Sequence, residues 1–146
     1  MSAKEGSKLL VRQISAIIIT FILLWVFMRV YRIDSIVIPL LGITVSDVIV
    51  VLLALIMAGL IKGLGKPLSM IYEESIPERA DVVSDVTGHM LNLVDLAVLY
   101  IYLRGVLLKV LGLYIGKVVN PEIIYDVVFL IVGLLIVYSI IKILTR

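Results

Sequence analysis

The chain has 146 residues, 62% of them hydrophobic and only 16% charged, with a net charge of +2 and a mean hydropathy of +1.22. A soluble domain is roughly half apolar and about a quarter charged, and one of this size has too little polar surface to cover so much Leu, Ile and Val. Lipid is the solvent that fits this composition. The mild positive balance lacks a dense basic face and argues against nucleic acid, while the absence of cysteine excludes disulfides, thiolate metal sites and cysteine nucleophiles.

The first apolar run predicts a membrane span over residues 10–28, bracketed by Lys4, Lys8 and Arg12 before it and by Arg29 and Arg32 after it. Arg12 stands near the helix end, where its stem can lie along apolar surface while the charge reaches the interface. Trp25 falls at the depth of an aromatic belt. A secretory signal would stop sooner and show a small-x-small cleavage site, so the expectation is a retained helix. Pro39 and Gly42 punctuate the connector that follows.

The second span is predicted over residues 45–64, whose length at 1.5 Å per residue is about 30 Å, the thickness of a hydrocarbon core. Thr44 and Asp47 have the spacing of a helix N-cap with a carboxylate three residues on. Ala58, Gly59 and Gly63, with Ala54, form a small-residue ridge of the kind that lets helices approach closely. Residues 67–85 then break the hydrophobicity with Glu73, Glu74, Pro77, Glu78, Arg79, Asp81 and Asp85, and read as a polar loop.

The third span is expected over residues 86–103, continuing past Arg104 and Lys109 as an interfacial helix toward Lys117. Asn120 followed by Pro121 supplies a further N-cap, and the fourth span is expected over 123–141, with Asp126 capping its first turn. Two stretches resemble one another. Asp47-Val-Ile-Val-Val-Leu opens the second span and Asp126-Val-Val-Phe-Leu-Ile the fourth, and both spans end in Ile-Lys, at Lys62 and Lys142. The fold class is therefore all-α, a four-helix transmembrane bundle in a single domain, with a tandem duplication of a helical hairpin as the reading of the repeat. A three-span arrangement, with the first run lying in the interface, is the alternative.

With four spans the termini and the central loop share one side. That side holds eight of the 13 Lys and Arg residues and the other side five, which puts both termini in the cytoplasm by the positive-inside rule. Gln13, Asn92 and Asn120 are the only amides, a depletion that fits a thermophile as well as a membrane composition.

The third span carries the chemistry. On a helical wheel Asp81, Asp85, His89, Asn92, Asp95 and Tyr102 share a face about 140° wide. A charged Asp near a helix centre costs about 2.5–3.5 kcal/mol on insertion scales, so Asp95 requires a partner or water. One reading is a packing face inside a bundle or against another subunit; a second is a proton or cation path through Asp85, His89, Asn92, Asp95 and Tyr102. A metal site from Asp85 and His89 is a poor third with one histidine and no cysteine. Ser84 beside His89 lacks any elbow or oxyanion hole, and no phosphate loop, H-E-x-x-H or G-x-S-x-G occurs. The expectation is a non-enzymatic structural or accessory subunit of a membrane assembly, without cofactor or metal, associating in the bilayer with its own copies or with other subunits. The alternative is a homo-oligomeric ion or proton channel or transporter lined by the polar face of the third span.

Overall fold

A computed structural model describes residues 3–30 and 33–146; Tyr31 and Arg32, the latter one of the bracketing charges, lie outside the described residues, as do Met1 and Ser2. Helix α1 (Ala3–Trp25) widens into a π-helical turn at Val26–Val30. Strands β1 (Val37–Ile38) and β2 (Ile43–Thr44) pair antiparallel, with Val37 opposite Thr44. Gly42 closes their turn at φ 64°, a left-handed conformation that glycine adopts without steric cost. Helices α2 (Val45–Lys62), α3 (Gly65–Ser75), α4 (Ala80–Ile115) and α5 (Pro121–Leu144) complete the chain.

Four helical segments are long and apolar enough to cross a bilayer: Ala3–Val30, Val45–Ser75, Ala80–Ile115 and Pro121–Leu144. Their apolar side chains face outward over most of their length, the inverse of a soluble fold and the arrangement that lipid favours. The chain is a multi-pass membrane protein built as an all-α, four-helix bundle.

Each helix runs antiparallel to the next in the row α1, α2, α4, α5. Gln13 of α1 donates from Nε2 to the Leu60 carbonyl of α2 at 2.9 Å, Lys109 of α4 reaches Asp47 of α2, and Arg146 beyond α5 reaches Asp85 of α4. The main core draws on three of them. Leu24 from α1 and Val50, Met57 and Ile61 from α2 are buried together, with Leu91, Val98 and Tyr102 of α4 packed against them. Helix α5 packs chiefly on α4, through Tyr125 and Phe129, whose rings lie 5.3 Å and 5.4 Å from that of Tyr100. The Tyr125 hydroxyl donates to the Tyr100 carbonyl at 2.7 Å.

Two segments differ from the sequence expectation. The polar stretch 67–85 is not a loop: α3 occupies its first half, α4 begins at Ala80, and only residues 76–79 intervene. Pro67 sits in the first turn of α3, where a missing N–H costs nothing. The helix is held by α1, with Pro67 and Met70 buried beneath it. A Cβ at Gly6 would come within 3.0 Å of the Pro67 carbonyl oxygen and 3.1 Å of Met70 Cβ, so the absent side chain sets the approach of α1 to α3. The third span and its continuation are one unbroken helix of 36 residues, about 54 Å long and far beyond a hydrocarbon core. Arg104 and Lys109 lie within it as good helix formers, each facing a carboxylate of a neighbouring helix.

Candidate functional site

The polar face of α4 divides into two parts with different surroundings. Toward its N-terminal end, Asp85, His89 and Asn92 lie between the C-terminal ends of α2 and α5. On the α2 side Lys62, Ser84, Asp85, Gly88, His89 and Asn92 line a cleft of about 290 Å³. On the α5 side Asp85 and His89 face Ser139, Lys142 and Arg146 across a cleft of about 510 Å³. Arg146 Nη2 lies 3.7 Å from Asp85 Oδ2. Lys62 and Lys142, the terminal lysines of the two similar spans, thus flank one segment of α4 from opposite sides. Ser69 and Ser84 share a hydrogen bond at 2.8 Å, and Thr87 donates to the Tyr72 hydroxyl at 3.1 Å, which ties α3 to this end of α4. Asp81 is exposed at the start of the helix.

One turn further on the face turns inward. Asp95 follows Leu91 and precedes Val98 and Tyr102 at helical spacing, and those three residues pack on the α1–α2 core. Asp95 Oδ1 is the buried side-chain oxygen that finds no hydrogen-bond partner among the described residues. An unpaired buried acceptor carries its full desolvation cost, about 1–3 kcal/mol. Among the described residues, no three or more His, Asp and Glu side chains gather into a group able to hold a metal.

At the opposite end the helix starts hold the remaining polar residues. Thr44 and Asp47 form a reciprocal capping box: the Asp47 amide donates to Thr44 Oγ1 at 3.2 Å, and the Thr44 amide to Asp47 Oδ2 at 2.9 Å. The same Oδ2 accepts from Lys109 Nζ at 2.9 Å, with the Asp47 side chain 7% exposed. Asn120 caps α5 by accepting from the Glu122 amide at 3.0 Å. Asp126 is not a cap. Pro121 is the first helical residue, so Asp126 lies in the second turn, past the free N–H groups that a cap serves. It accepts instead from the Tyr100 hydroxyl at 2.7 Å and stands 3.8 Å from Arg104 Nε.

The small-residue ridge is also different in detail. Ala54 is buried and Ala58 half-buried, but Gly59 faces outward and a Cβ there would meet nothing within 4 Å. Gly63 is the close contact, since a Cβ on it would collide with Gln13 of α1. Sequence reasoning missed the partners Lys109 for Asp47 and Arg104 for Asp126. The repeat held the signal, because two aspartates at matching positions of similar helices call for matching bases on the helix between them. Comparison with known proteins adds no relative: no family model, no curated protein and no solved structure matches the chain.

Proposed function

We propose that this small multi-pass membrane protein is a non-enzymatic subunit of a membrane assembly, with α5 as the flank that meets its neighbour. The observation that carries the reading is the position of α5. It stands outside the core shared by α1, α2 and α4, packs chiefly on α4, and leaves Leu134, Leu135 and Tyr138 more than half exposed. The polar residues deepest in α4 meanwhile point into the chain's own core, as a packing face does. In the bilayer the end carrying both termini and the α3 segment is the cytoplasmic one, because it holds the larger share of Lys and Arg.

The test is photo-crosslinking in the native membrane from Leu134 on α5 and Ile18 on α1, which are 59% and 53% exposed, followed by the mass of the gently extracted complex. The expected result is a crosslink from Leu134 to one polypeptide present at fixed stoichiometry, with Ile18 giving lipid adducts. Lipid adducts alone from both positions, with a monomeric mass, would sink the proposal.

A second reading rests on a separate observation: the bare Asp95 oxygen and the two clefts that meet at Asp85 and His89. In a homo-oligomer they are the pieces of a proton or cation path. A pure homo-oligomer whose proton flux in liposomes is abolished by Asp95→Asn, with assembly intact, would favour it over the accessory role.

A further inference from the structure

Where α1 crosses the junction of α2 and α3, at the end that carries the chain termini, the helices leave a cleft of about 420 Å³. Its lining divides by chemistry. Leu9, Ala16 and Leu60 give it an apolar wall, Arg12 and Lys66 bring two exposed positive charges, and no carboxylate lines it. Neither cation takes part in an ion pair among the described residues, whereas Arg104, Lys109 and Arg146 each face an aspartate. The floor is fixed, since the Gln13 amide is bonded to the Leu60 carbonyl and lies where a side chain on Gly63 would stand.

The depth of the cleft matters as much as its charge. It lies where the apolar run of α1 begins, at Leu9, and where that of α2 gives way to Lys62 and Lys66. That is the level of lipid headgroups, with the apolar wall continuing toward the acyl chains. Two unneutralised cations above an apolar wall fit an amphiphile with an anionic head, and basic pockets between membrane helices bind such heads. The clefts around Asp85 and His89 fit one less well because a carboxylate lines both of them.

We infer that this cleft is a binding site for an anionic phospholipid, with Arg12 and Lys66 on the phosphate and one acyl chain along Ala16 and Leu60. The recognised chemistry is a phosphate diester, and the membrane is its source. Arginine engages it by paired N–H donors and lysine as a point charge.

The full chain, purified in neutral detergent, would be titrated with phosphatidylglycerol or phosphatidylcholine of identical acyl chains and followed by native mass spectrometry. The expected result is preferential retention of phosphatidylglycerol. Arg12→Gln with Lys66→Gln should weaken it about 30-fold, the equivalent of about 2 kcal/mol at 1.4 per decade for two interfacial cations. Lys4→Gln with Lys8→Gln removes the same total charge, from α1 outside the cleft, and should leave the adduct in place. Ala16→Phe, which keeps both cations and blocks the apolar wall, should also remove it. Equal retention of the two lipids, or equal loss in the two double variants, would overturn the site. Displacement of the adduct by inorganic phosphate or glycerol phosphate at matching concentration would overturn the lipid assignment in favour of a free phosphate.

Discussion

The ion pair that anchors α2 to α4 offers the most direct test of how this fold holds its register. Asp47→Ala removes two hydrogen bonds to one carboxylate, from the Thr44 amide and from Lys109 Nζ, while the other half of the capping box, from the Asp47 amide to Thr44 Oγ1, remains. Loss of a carboxylate from the first turn of α2 costs about 0.3–1 kcal/mol through the helix dipole. The Thr44 amide, half-buried, then lacks an acceptor, a penalty of about 1 kcal/mol or more. Lys109 is 46% exposed and turns back to solvent, so its share is discounted to about 0.5–1 kcal/mol. The expected loss is about 2–3 kcal/mol, roughly 30- to 150-fold in the unfolding equilibrium. Reversible unfolding in bicelles, read by steric trapping, measures it. Lys109→Gln and the double variant complete a cycle, for which we expect a coupling of about 1 kcal/mol. A change under about 0.5 kcal/mol in Asp47→Ala, or zero coupling with Lys109, would refute the argument that this pair sets the helix register.

Gly6→Val should lose about 1–3 kcal/mol by overpacking against Pro67 and Met70 and expose α3 to limited proteolysis. Gly59→Ala, where space is open, should be neutral or gain up to about 1 kcal/mol from helix propensity; the reverse order in the same unfolding assay would contradict the packing described here. Asp95→Leu should stabilise the isolated chain by about 1–3 kcal/mol, because it removes a buried oxygen without a partner. Destabilisation would mean that the oxygen is paired in the membrane.

The spans were readable in the sequence for a physical reason. Lipid demands about 20 consecutive apolar residues, a signal that survives ignorance of every contact. The Thr44–Asp47 box and the Asn120–Pro121 start were readable because capping is local, settled within four residues. Helix α3 was not, since its glutamates resemble those of a loop and its stability comes from α1 at Gly6, some sixty residues away in sequence. Asp126 was misread because local spacing cannot say whether a carboxylate serves its own helix end or a tyrosine across the interface. The wheel grouped Asp85, His89, Asn92, Asp95 and Tyr102 on one face of α4, but a wheel names no neighbour. That the face opens to clefts at Asp85 and turns into the core at Tyr102 depends on how α2 and α5 cross it.

Helices α2 and α5 engage α4 by the same plan, and the plan explains how apolar helices find a register in lipid. Oily surfaces give no hydrophobic preference for one sliding position over another there, so polar contacts at the ends must choose. Each of the two helices places an aspartate near its start against a base of α4, Asp47 on Lys109 and Asp126 by Arg104, and a cation near its end beside Asp85. A slip of one turn, about 5.4 Å, would break both ends at once. The two copies differ in how firmly they close. The α2 pair is a contact at 2.9 Å to a carboxylate 7% exposed and reinforced by the capping box, while the α5 pair stands at 3.8 Å with both side chains more than a third exposed. The plan is therefore closed more firmly on the α2 side than on the α5 side, which is the side where the proposed neighbouring subunit would have both an apolar face to cover and a looser ion pair to complete.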